Sequence, residues 1–169
     1  MNLDTLIQVG MPPWRPAPAA QIVDIWDKYD FPSCGIYSLG DEVIVFTVIT
    51  TAGPRSLWAY VPVPPASRES VTRADFDTEA EFDAWLEFWF AGHEVVFAAA
   101  ENFVVTAKSD GILIPPRRNA LLAAGARWYA ERGAALGGVD VRLPEADDAD
   151  AGTLLRAAQG VLASGPQAG

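Results

Sequence analysis

Cysteine and histidine are almost missing: the chain has one of each among 169 residues. A single cysteine, Cys34, excludes an intrachain disulfide. A zinc centre wants several Cys or His ligands, so that class is excluded as well. Basic residues are scarce, 12 against 22 acidic ones, and the formal net charge is −10. That balance removes the electrostatic footing for nucleic acid or an anionic bilayer. Long apolar runs are also lacking. The most apolar region, residues 88–107, is interrupted by His93, Glu94, Glu101 and Asn102. No segment therefore reaches the ~20 apolar residues of a membrane-spanning helix. Residues 1–10 carry Asp4 and no base, unlike a secretory leader. The expected location is the reducing cytoplasm. Few lysines beside abundant Ala, Gly, Pro and Arg suggest a bacterial genome of high GC content.

What is present is a core. Half of the residues are apolar and a fifth are charged, which argues against disorder. Six tryptophans need an interior, a pocket or a partner to cover them. The length suits one domain. Residues 1–18 carry Pro12, Pro13, Pro16 and Pro18 around Trp14, so they are expected to form an extended arm. Residues 19–138 are expected to form the α+β domain. Residues 139–169 are expected to hold an acidic linker and a short C-terminal helix.

The stretch 78–108 organises the rest. Thr78 suits a helix N-cap, and Glu81 has the spacing of a capping box. Phe82, Trp85, Leu86 and Trp89 fall on one helical face. Phe88 and Phe90 lie off that stripe, so the last turns are apolar nearly all round, and Gly92 offers a stop. Two strands follow, residues 93–98 and 103–108, with a turn at Glu101-Asn102. Residues 112–114 can add a short strand.

Upstream, residues 19–29 read as a helix through Ile22, Ile25, Trp26 and Tyr29, ended by Pro32. Residues 35–39, 42–51 and 56–63 read as strands, separated by Gly40-Asp41 and by residues 52–54. Pro62 and Pro64 place the third of these at an edge, at least near its end. Residues 117–136 read as a helix with Leu121, Leu122, Trp128 and Tyr129 inward, closed by Gly137-Gly138. Residues 153–162 read as a short helix. The expected order is α-β-β-β-α-β-β-(β)-α, a single antiparallel sheet of five or six strands packed with helices.

In element order, size and acidity, residues 19–136 resemble the type III secretion chaperone-like domains, including the YbjN family of small acidic bacterial proteins. The resemblance implies a protein-binding or regulatory module, often dimeric, with no catalytic residues to carry over. Two departures are the extra strand at residues 112–114 and the acidic tail after Gly138. A profilin-like or sensor-type sheet shares much of the same pattern.

Chemistry-bearing constellations are sparse. Cys34 with His93 is the one conceivable thiol and base. His93-Glu94 matches the start of a zinc-deaminase signature whose paired cysteines are absent. Asp147, Asp148 and Asp150 lack calcium-loop spacing. Arg117 and Arg118 open a helix, where cations oppose the dipole. Glycine-rich phosphate loops and a nucleophile elbow are missing. The expectation is thus no catalytic residue, no metal and no cofactor. The function expected is a binding or regulatory module, either a chaperone-like adaptor or an immunity or antitoxin protein. Its partner would be another protein or a second copy of itself, not nucleic acid or membrane. The expected contact residues are Trp14, Trp58, Trp85, Phe88, Trp89 and Phe90. The alternative is a small-molecule-binding domain or small enzyme whose pocket is lined by Trp26, Trp58, Trp85, Trp89 and Trp128.

Overall fold

Side chains of a strand alternate between its two faces, and residues 32–62 are apolar enough to be covered on both. The computed structural model describes residues 7–28, 31–73, 75–117, 119–135 and 151–164. In it β2 (Pro32–Leu39), β3 (Glu42–Ala52) and β4 (Arg55–Pro62) form consecutive antiparallel hairpins. Gly40 and Gly53 make the turns in left-handed conformation, at φ 61° and 60°, which glycine adopts without steric cost. Ile49 is the extra residue of a bulge between Val48 and Thr50.

Residues 21–28 correct the sequence reading. They form a strand, β1 (Gln21–Lys28), antiparallel to β2, in place of the expected helix. Register shifts lie between Ile22 and Asp24 and between Ile25 and Asp27. Each bulge resets the two-residue alternation, so apolar positions recur at a spacing that mimics a helix. Ile22, Val23 and Ile25 are β-branched, which favours the strand. Tyr29, the last position of the expected helical stripe, lies outside the described residues.

The edge position expected for β4 holds only near its end and is corrected for the rest of the strand. Residues 55–60 pair with β3 on one side and with β5 (Glu94–Glu101) on the other. Pairing with β5 stops at Tyr60, so Pro62 lies beyond that ladder and needs no donor on that side.

After β4 the chain makes a 3-10 turn (Pro65–Ser67) and a short helix, α1 (Arg68–Thr72). The helix α2 (Glu79–Phe90) leads into β5. β6 (Val104–Lys108) returns along residues 98–101 of β5 through a turn at Asn102 and Phe103. The β7 strand (Ile112–Leu113) pairs with Glu94 and Val95 of the same edge. Between them Ser109 stands in for a strand partner: the Phe97 amide donates to Ser109 Oγ, and the Ser109 amide to the Phe97 carbonyl, both at 2.8 Å. Two helices follow, α3 (Ala120–Ala135) and α4 (Ala151–Ser164).

The architecture is α+β with one antiparallel sheet of seven strands, in the order β1-β2-β3-β4-β5-β6 with β7 also on β5. The element order, β-β-β-β-α-α-β-β-β-α-α, departs from the expected one at its first element, a strand, and by the added helix α1, so that seven strands stand where five or six were expected. The arm covers one face. Ile7, Ala17 and Ala20 pack there with Tyr37, Phe46, Trp58 and Tyr60. Helices cover the other face, where Phe90 and Ala120 meet Val45, Ala59, Val61 and Phe97. Near the β3–β4 turn, Val161 and Leu162 of α4 and Tyr129 of α3 close over Leu57 and Ala99. The acidic residues 139–150, with Asp147, Asp148 and Asp150, lie outside the described residues, as do Arg118 and the Gly137-Gly138 stop.

The β6 and β1 edges of the sheet are each partly occupied or distorted. At β6 the Gly10 amide donates to the Val105 carbonyl at 2.8 Å, and the Val105 amide to the Met11 carbonyl at 2.9 Å. At β1 the bulges break the ladder, and Asp24 Oδ1 accepts from the Ile25 amide at 2.9 Å. Devices of this kind suppress edge-to-edge pairing.

Candidate functional site

The helix α2 carries the candidate surface, and its start is fixed locally. The Thr78 side chain accepts from the Glu81 amide at 3.2 Å, and Glu81 Oε2 accepts from the Asp77 amide at 3.1 Å. This is a capping box displaced by one residue. At the other end the Gly92 amide turns away to the Ile114 carbonyl at 2.7 Å.

One face of α2 is anchored by aromatic rings. Trp85 meets Trp26 of β1 edge-on, with centroids 5.0 Å apart at 85°, and meets Phe76 at 5.1 Å. Phe82 also touches Trp26 and Phe76. These rings are in direct edge-to-face contact with one another. Trp89 and Phe90 are buried on the sheet side.

The opposite face is bare. Ala80, Ala84, Glu87 and Phe88 are exposed, and Phe88 is 71% accessible. Two shallow grooves flank Glu87. One, of about 270 Å³, lies among Leu86 and Glu87 of α2, Thr47, Val48 and Ile49 of β3, and Asn119, Ala120, Leu121 and Leu122 at the start of α3. The other, of about 260 Å³, is lined by Ala84, Glu87, Phe88, Ala91, Pro116 and Arg117. Asp75, Asp77, Glu81 and Glu87 are all exposed along this helix and its approach, and Arg117 is the cation on the rim.

The six expected contact residues are divided by the sheet. Trp85, Phe88 and Trp89 sit on α2, with Phe88 outermost. Phe90 is fully buried on the helix face. Trp58 is fully buried on the arm face, where its Nε1 donates to Ser56 Oγ at 2.8 Å. Trp14 lies half-buried above it, with ring centroids 6.3 Å from Trp58, 6.4 Å from Phe31 and 5.7 Å from Phe103. The five tryptophans of the expected pocket do not converge either. Trp58 belongs to the arm-side core, and Trp26, Trp85, Trp89 and Trp128 to the helix side.

Cys34 and His93 do not meet. Through Thr47 and Ala59, Cys34 is in register with Phe97 of β5. Three strand spacings put the thiol roughly 14 Å from β5, and His93 lies four residues further along, roughly another 13 Å. Cys34 is buried, and the His93 ring stacks on Trp89 with Nδ1 3.0 Å from the Ala91 carbonyl. Among the described residues no group of three or more His, Cys, Asp or Glu side chains is placed to hold a metal. No described helix is long and apolar enough to cross a membrane.

Three tyrosines have perturbed hydroxyls. Burial pushes Tyr37 and Tyr60 well above the ordinary tyrosine value, and Tyr37 adds to the effect on Tyr60. Burial also raises Tyr129, against the lowering influence of Arg55. Tyr60 Oη donates to the Pro13 carbonyl at 2.5 Å and so ties the arm to the sheet. These hydroxyls serve packing.

Sequence reasoning missed the groove residues Ala84, Glu87, Ala91 and Pro116, and it placed Arg117 at a helix start without linking it to α2. The available signal was the outward period of α2: Ala80, Ala84, Glu87, Phe88 and Ala91 recur at three and four residues, opposite the Phe82-Trp85-Leu86-Trp89 stripe. No protein-family model, curated protein or solved structure matches the chain.

Proposed function

We propose that the chain is a non-catalytic protein-binding or regulatory module, a chaperone-like adaptor or an immunity or antitoxin protein, acting in a bacterial cytoplasm. The observation that carries this reading is Phe88, a large apolar side chain left 71% accessible at the wall of a shallow groove on an acidic helix face. An exposed aromatic beside a concavity is the usual form of an interface anchor. The arm bonded to β6 and the bulges of β1 disfavour strand addition at those edges. Acidity and size support the likeness to the type III secretion chaperone-like domains, whereas the strand that replaces the expected first helix departs from the element order on which that likeness also rested.

Light scattering of the purified chain and a pull-down, each comparing the native chain with Phe88→Ser, test the proposal. A homodimer or a retained protein that is lost on substitution is the expected result. A monomer whose retained proteins are the same for both chains would remove the reading. A second reading, a small-molecule site, draws on the groove at Leu86, Leu121 and Leu122, whose polar groups are Glu87, Asn119 and Thr47. It predicts a rise in melting temperature with a small apolar amine that is abolished by Glu87→Gln.

A further inference from the structure

The outward face of α2 combines three properties that select an occupant. Its centre is apolar and low: Ala80, Ala84 and Phe88 are spaced by four residues, so they line up along the helix, with Ala91 beyond. Alanines let a second backbone approach closely, and Phe88 stands above them as the single large contact. Its flanks are acidic, since Asp77, Glu81 and Glu87 are exposed on either side of that line. Its surroundings refuse a strand, because the β6 edge is bonded to residues 10 and 11 and the β1 edge is bulged.

We infer that this face receives a basic amphipathic helix from another protein, which seats a bulky apolar residue against Phe88 and sets lysines or arginines against Glu81 and Glu87. The inference rests on the docking function proposed above and specifies its partner. A second copy of this chain is the poorer occupant. Two α2 faces brought together would oppose Glu81 and Glu87 with the same residues, and like charges at an interface are repelled. The net charge of −10 adds to that repulsion and speeds the approach of a cation. Arg117 lines the smaller groove beside Glu87, so at that rim the partner meets a cation as well as a carboxylate.

The probe is a labelled peptide of leucine and lysine at amphipathic helical spacing. Its controls are the same peptide with glutamate for lysine and an oligolysine without leucine. Binding to the full chain is read by fluorescence anisotropy, and the contact is located by amide chemical shifts. The leucine–lysine peptide is expected to bind and to shift residues 80–91 and 116–122. Phe88→Ser should weaken it at least ten-fold. Glu81→Gln with Glu87→Gln should weaken it by a similar factor and flatten its decline as salt rises from about 50 to about 300 mM. Val104→Ser, an exposed apolar position on the β5–β6 hairpin, should leave binding unchanged. Oligolysine that binds equally well to every variant would overturn the inference, because charge alone would then explain the affinity. Self-association that depends on Phe88, with peptide binding indifferent to it, would overturn the basic partner and retain the docking face. Indifference to Phe88 in both assays would overturn both.

Discussion

The guanidinium of Arg55, at the start of β4, donates Nη1 to the carbonyl of Leu162 at 3.1 Å and to that of Ala163 at 3.1 Å. These carbonyls belong to the last turn of α4, where no intrahelical amide remains to satisfy them. A cation there also meets the negative end of the helix dipole. Arg55 is buried and bonds the Tyr129 side chain as well, so one residue joins the sheet to both C-terminal helices.

Replacing it should therefore release α4 before anything else. Hydrogen bonds to a charged group contribute about 1.5–3 kcal/mol each, so Arg55→Met is expected to lower stability by about 2–4 kcal/mol. Urea unfolding gives the total. Hydrogen exchange should show the amides of α4 losing protection first, while those of β3 stay slow. Unchanged exchange in α4 would contradict the capping role.

Phe103 sits in left-handed conformation, at φ 61°, with its ring 4.7 Å from Phe31 and 5.7 Å from Trp14. That backbone costs a non-glycine residue about 1–2 kcal/mol. Phe103→Ala loses the ring contacts and keeps the strain, whereas Phe103→Gly loses the contacts and relieves it. The alanine variant is expected to be the less stable by about 1 kcal/mol. Equal melting temperatures would mean that the turn stores no strain.

Alkaline pH should unfold the protein through its buried tyrosines. A hydroxyl whose folded value lies above its unfolded value near 10 keeps its proton in the folded state and loses it in the unfolded one. Tyr37 and Tyr60 are both of this kind. Their stabilising effect is whole below pH ~10 and falls by about 1.4 kcal/mol per pH unit for each group above it. Phenolate absorbance from these two should grow only as the circular dichroism of the fold collapses. Complete ionisation of all four tyrosines in a folded chain would refute it.

Neighbouring phenylalanines on α2 should respond in opposite ways. Phe90 is fully buried, so Phe90→Ala is expected to cost about 3–5 kcal/mol. Phe88 is exposed, so Phe88→Ala should stay within about 0.5 kcal/mol in the isolated chain. Chemical denaturation of the pair decides the matter. A large loss at Phe88 would place it in the core and not at a contact surface.

Gly125 lies at a close approach of α3 to the sheet. A Cβ there would come 2.9 Å from Phe97 Cε1 and 3.0 Å from Ile49 Cδ1. In an open helix, alanine for glycine gains about 0.8–1 kcal/mol. Here Gly125→Ala should instead cost about 1–3 kcal/mol by overpacking. A higher melting temperature would show that α3 stands further off.

The parts of this fold written in local pattern were legible in the sequence. Thr78 and Glu81 cap α2 as their spacing predicts, and the apolar run of β3 is covered on both faces. Ile112 and Leu113 add the short strand, and Val161 and Leu162 turn inward from α4. The parts that depend on distant partners were not. The bulges of β1 arise from its pairing with β2, and they scramble the alternation around Ile22 and Ile25. β4 is interior because β5, far along the chain, returns beside it, and no feature of Pro62 reveals that. Phe88 and Phe90 both lie off the predicted apolar stripe, yet the sheet buries one and leaves the other in water. The candidate site suffered from the same ignorance: the rings were visible, but the side of the sheet each would occupy was not.

The bond between Gly10 and Val105 has a consequence for how the molecule is made. Synthesis proceeds from the N-terminus, and domains fold as they emerge. Residues 7–20 leave the ribosome well before β6, but the edge they protect does not exist until β6 has followed. Trp14 and Ile7 therefore wait without their full hydrophobic shelter, and the growing sheet keeps an open seam. Sealing that seam is a late step, in which a segment made early awaits one made some ninety residues after it.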